Sequence, residues 1–86
     1  MMNFPIWWDW ELELIPHIEK RMIQRGFTEL ELRTMLLNAY NIEKDKEEGR
    51  FLIKSKHIGN NWEIIVEPDL DEKLLVVITA YPCKEY

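Results

Sequence analysis

Three side chains spaced four apart, His17, Arg21 and Arg25, carry the most specific chemical pattern in the chain. On a helix they form one row, drifting about 40° per step. Ile18 and Met22 flank that row and point inward, so the row borders the core. Three potential cations in line suit a phosphate or a carboxylate, because guanidinium groups match both in geometry. The competing reading is structural. Arg21 and Arg25 pair with acids on a neighbouring sheet, and His17 donates to a backbone carbonyl.

A second constellation lies further on. From Gly49 to Trp62 the chain holds Arg50, Lys54 and Lys56 and no acid, and Glu63 and Glu67 follow. On paired strands these five share one face. As chemistry this face suits a phosphate-reading surface with an acid/base carboxylate beside it, and Arg50 joins the anion-binding candidates. Ordinary cross-strand pairing explains the same residues, each exposed pair contributing only about 0.2–1 kcal/mol. His57 is expected to pack on Trp62. Tyr81 and Tyr86 are amphipathic edge residues able to stack on bases. Cys83 has only Lys84 beside it as an activating neighbour. With Cys83, His17 and His57 as the thin supply of soft ligands, no metal site and no cofactor is expected. No glycine-rich phosphate loop and no Ser/His/Asp order is present.

Trp7-Trp8-Asp9-Trp10 is the densest aromatic run. Either Trp10 enters the core while Trp7 or Trp8 closes over a sheet edge, or the cluster is a docking patch covered by self-association or a partner. Leu30, Leu37 and Tyr40 form a second candidate interaction surface on the outer side of a helix.

The elements that position these residues follow from pattern. Trp10 to Leu14 alternates apolar and acidic residues, the period of a half-buried strand. Pro16 suits a helix's first turn and Gly26 its C-terminal cap, giving a helix from Pro16 to Arg25. Thr28-Glu-Leu-Glu31 is a capping box, opening a second helix to about Ala39. Its core stripe is Leu32, Met35, Leu36 and Ala39. Asn41 to Gly49 reads as a solvated connector. Arg50 to His57 reads as a strand, with Gly59-Asn60 as a two-residue hairpin turn. That turn sets His57 opposite Trp62, Lys56 opposite Glu63, Ser55 opposite Ile64 and Ile53 opposite Val66. Phe51, Ile53, Trp62, Ile64 and Val66 then face the core. Pro68 to Lys73 connects to a last, interior strand from Leu74 to Tyr81. Either Leu75/Val77 or Leu74/Val76/Ile78 turns its helix-facing side. The fold class is α+β in the order β-α-α-β-β-β, with two helices on one face of a mainly antiparallel four-stranded sheet.

Composition bounds the rest. Eighty-six residues, 47% apolar and 31% charged, are expected to form a single domain over residues 1–86. A multidomain enzyme, a membrane span and a disulfide scaffold are excluded. A formal charge of −5 argues against a global grip on nucleic acid and leaves room for a local basic face. No signal peptide is visible and the longest apolar run is far too short to span a bilayer, so a cytoplasmic protein without a membrane partner is expected.

His17-Ile-Glu-Lys-Arg21-Met22-x-x-Arg25-Gly26-Phe27-Thr28, an amphipathic helix, a hairpin and a closing Val-Val-Ile-Thr79-Ala-Tyr81-Pro strand resemble a small bacterial family catalogued mainly as a domain of unknown function. The resemblance runs from about Trp10 to Pro82. The element order is also similar to the RelE and BrnT toxin superfamily, whose members cleave mRNA and are neutralised by an antitoxin. That likeness implies a RelE-like fold and metal-free RNA cleavage, in which the ribose 2′-hydroxyl attacks the adjacent phosphate. Carried onto this chain by strand position, the cations are Arg50, Lys54 or Lys56 and the base is Glu63 or Glu67. The acidic balance departs from the basic character of such toxins, and the C-terminal segment lacks their His/Tyr or Arg-rich tail. The alternatives are a noncatalytic interaction module, self-associating or bound to a partner, and a small ligand-binding protein or enzyme using the His17/Arg21/Arg25 row.

Overall fold

The computed structural model describes residues 4–83; Lys84 and Tyr86 lie outside them. In chain order the elements are β1 (Glu11–Leu14), α1 (Pro16–Arg25), α2 (Glu29–Leu37), β2 (Asn41–Lys44), β3 (Phe51–His57), β4 (Asn60–Asp69) and β5 (Leu74–Pro82). Pro16 opens α1, where a missing N–H costs nothing, and Gly26 closes it with φ 70°. Thr28 and Glu31 cap α2 reciprocally. The Thr28 hydroxyl accepts from the Glu31 N–H and a Glu31 carboxylate oxygen accepts from the Thr28 N–H, both at 3.1 Å.

The strands form one sheet in the order β1-β5-β4-β3-β2. β1 runs parallel to β5, and the other three pairings are antiparallel. The sheet thus has five strands and is mixed, not four-stranded. The extra strand is β2, inside the stretch expected to be a connector: its four residues, Asn-Ile-Glu-Lys, present a single apolar side chain to the core side, too weak a pattern to stand out. β5 is interior, as its apolar character requires.

Both helices cover one face, α1 over β5 and α2 over β3. Between helices and sheet lie Ile18, Leu32, Met35, Ile53, Ile64, Val66, Leu75 and Val77, all fully buried. Each such side chain contributes roughly 1.5–3 kcal/mol by leaving water. Buried Ser55 is satisfied by donating its hydroxyl hydrogen to the Met35 carbonyl, which ties β3 to the last turn of α2.

Two local features set what faces the other side. The β3–β4 turn is Ile58-Gly59, not Gly59-Asn60, with φ 49° and 77°. Positive φ at both central positions is the type I′ geometry that matches strand twist. The register therefore moves by two residues: Ile53 pairs with Ile64, Ser55 with Trp62, Lys56 with Asn61 and His57 with Asn60. A two-residue shift preserves faces, so the expected core set survives while Lys54, not Lys56, comes opposite Glu63. A β-branched residue at positive φ is costly, and Ile58 is 81% exposed, so its side chain returns little in burial. Ile58→Asn is expected to stabilise by about 1 kcal/mol. A melting curve raised by about 4–8 °C would agree with this, and an unchanged or lowered one would not.

The second feature is a bulge. Val66 pairs with Val77 and Ile65 with Thr79, so Ile78 is the extra residue. Leu75 and Val77 face the helices, and beyond the bulge Ala80 does so, which turns Thr79 and Tyr81 outward.

Candidate functional site

The sheet face away from the helices carries the second constellation. Across it, Asn41 pairs with Lys54, Lys54 with Glu63 and Glu63 with Tyr81, one row over four strands. The Tyr81 hydroxyl donates to Glu63 Oε1 at 2.6 Å. Among the described residues Lys54 and Lys56 make no side-chain hydrogen bond or ion pair. Two residues along each strand, roughly 7 Å away, Leu52, Ile65 and Thr79 stand side by side, with Glu43 of β2 next to Leu52 at the sheet edge. Beyond them Arg50 Nε pairs with Glu67 Oε1 at 3.1 Å. The face thus holds an ion pair, an uncharged strip over β3 to β5 bordered by Glu43 on β2, and a half-buried carboxylate clasped by a phenol beside a lysine.

Burial first, then the hydrogen bond and the negative charge of Glu63, push the Tyr81 phenol up to about 12 from 10.0. An unfolded phenol ionises near 10.0 and the folded one only near 12, so high pH favours unfolding. This contribution to stability is complete below pH 10.0 and is lost as pH rises through about 12. A phenolate absorbance titration should show one late tyrosine, absent in Tyr81→Phe. Three tyrosines ionising together near the ordinary value would contradict the arrangement.

The helical row does not gather into an anion site. His17 is exposed on the first turn. Arg21 donates to the side-chain oxygen of Gln24 at 2.6 Å. Arg25 donates to the Ala80 carbonyl of β5 at 2.7 Å, which ties α1 to the sheet. Among the described residues neither arginine meets the acid expected of the structural reading: Arg25 reaches a backbone carbonyl beyond the bulge, and Arg21 stays on its own helix.

His57 Nε2 lies 3.2 Å from Glu31 Oε2 and its ring packs edge-on to Trp62 at 5.9 Å. Glu31 is thus shared between the cap of α2 and the end of β3. Its carboxyl is held below the usual range, chiefly by the Thr28 backbone N–H and secondarily by His57.

The tryptophan run is largely self-covered. Trp7 is 5% exposed and its ring lies 5.0 Å from that of Phe51. It is a core residue, which removes it from the candidate docking surface; the local pattern could not rank it above Trp10. Trp8 is half-buried and stacks on Phe4 at 4.9 Å, and Trp10 is half-buried against the core. Leu30, Leu37 and Tyr40 stand 76%, 69% and 53% exposed.

The sequence pattern marked Tyr81 as an edge residue able to stack on bases and did not show its bond to Glu63. The register of β5 would have revealed it, but the bulge at Ile78 hides that register. It also passed over Arg33, whose guanidinium donates to the Trp10 carbonyl at 3.3 Å. No group of three His, Cys, Asp or Glu suited to a metal occurs among the described residues. Nor is any helix among them long and apolar enough to cross a membrane.

Two helices on one face of a five-stranded mixed sheet, with polar chemistry on the other, define a small α+β domain. Residues 14–82 match the family described as domain of unknown function DUF4258, and the chain belongs to that family. No curated protein and no solved structure matches it.

Proposed function

We propose that this protein is a metal-independent RNA-cleaving component of a toxin–antitoxin pair, working through the open sheet face. The observation that carries the reading is the row Lys54–Glu63–Tyr81: a lysine without a committed partner opposite a carboxylate that a phenol holds in place. Glu63 accepts the proton of a ribose 2′-hydroxyl. The 2′-oxygen forms a bond to phosphorus, and the bond from phosphorus to the 5′-oxygen breaks. Tyr81 gives its proton to the leaving 5′-oxygen and regains one from Glu63 along their hydrogen bond. Lys54 and Lys56 stabilise the added negative charge on the phosphoryl oxygens. Arg50 binds the neighbouring phosphate. Glu67, tied to Arg50, positions that guanidinium and ranks below Glu63 as base.

A second reading, a noncatalytic module bound by an antitoxin or another protein, rests on Leu30 and Leu37, seven apart on α2 and both exposed. Controlled expression in a bacterial host, with growth followed and new RNA 5′ ends mapped, separates the two. Growth arrest with discrete cuts supports cleavage. Normal growth with intact RNA, from folded protein, favours the module.

A further inference from the structure

We propose that two copies of this chain join edge to edge through β2, antiparallel about a two-fold axis at Ile42, into one continuous sheet. β2 ends the sheet, and nothing pairs with its outer side among the described residues. The Asp45 N–H donates to the Arg50 carbonyl, and counting back along this antiparallel pair turns the backbone groups of Glu43 and Asn41 toward β3. The N–H and C=O of Ile42 therefore point out of the edge. Two Ile42 residues facing each other across a two-fold axis exchange both hydrogen bonds.

Side-chain chemistry selects this register. With Ile42 opposite its own copy, Glu43 comes opposite the second copy's Asn41. In the single chain the Asn41 amide already donates to Glu43 at 3.0 Å, and the same donor and acceptor re-pair between copies. Two neighbouring registers also keep faces matched. One sets Glu43 against Glu43 and Ile42 against Lys44, a like-charge contact and an apolar–charge mismatch. The other sets Ile42 against Tyr40, which lies outside β2 and already gives its N–H to the Lys54 carbonyl at 2.9 Å. The core side agrees. A groove of about 520 Å³ runs along this edge, walled by Phe4, Trp7 and Phe51 with Ile42 at its side, and the second Ile42 enters it. A second copy thus satisfies edge backbone, outer polar pair and inner groove together, independently of any activity of the opposite face.

Sedimentation of the full chain across a range of concentrations is expected to show a monomer–dimer equilibrium that Ile42→Lys abolishes with the circular dichroism spectrum unchanged. Oxidative cross-linking in a Cys83→Ser background keeps the proposal testable if that variant misfolds. Ile42→Cys is expected to give a disulfide dimer and Glu43→Cys monomer, since only position 42 meets itself across the axis. A wild-type monomer at all concentrations overturns the proposal. So does cross-linking through position 43 in place of 42.

Discussion

Lys54→Ala is expected to reduce RNA cleavage by about a hundredfold to a thousandfold, the usual cost of removing one preorganised charge from a phosphoryl transition state. Glu63→Gln should remove about 10²–10⁴-fold, because an amide keeps the shape but cannot accept the 2′-hydroxyl proton. Glu67→Gln should cost less, since Glu67 already holds Arg50 at 3.1 Å and acts through it. Lys54 has no side-chain partner to lose among the described residues, so its truncation should leave stability within about 0.5 kcal/mol. Measuring rate and melting temperature on the same preparations separates chemistry from folding. Equal losses in both would make the row structural.

Trp7→Ala carries the largest expected stability effect. The indole is buried between the N-terminal segment and the sheet, against Phe51 and Trp8. Removing it costs about 3–5 kcal/mol through lost burial and the cavity left behind. A domain of this size then loses about 12 °C or more in melting temperature. Against a total stability of order 5–15 kcal/mol, that brings the protein close to unfolding. Trp7→Phe should recover much of the loss. Trp8→Ala should cost less, its ring being only half-buried against Phe4. A partner-docking role for Trp7 requires the opposite: a lost complex with the melting curve unmoved.

Both effects depend on features of unequal legibility. α1 was readable at both ends because Pro16 and Gly26 each have one backbone reason to be there, and the Thr28–Glu31 box is a local hydrogen-bond pattern. The inward set on β3 and β4 was readable from alternation alone. What escaped was decided away from the residues concerned. β2 exists because β3 offers it an edge, not because Asn-Ile-Glu-Lys favours a strand. Ile58 occupies a conformation its own side chain disfavours, imposed by the strands it joins. Ile78 is one bulged residue within an unbroken apolar run, and it alone decides that Tyr81 meets Glu63. Burial of Trp7 over Trp10 is likewise a tertiary choice among chemically identical side chains.

The most direct test of the account incubates purified protein with a single-stranded RNA in excess chelator and identifies the new ends. The sheet-face mechanism predicts cleavage that persists in chelator, leaving 2′,3′-cyclic phosphate and 5′-hydroxyl termini, and that Lys54→Ala and Glu63→Gln suppress. Intact RNA from folded wild-type protein, or products ending in 3′-hydroxyl and 5′-phosphate, would contradict it.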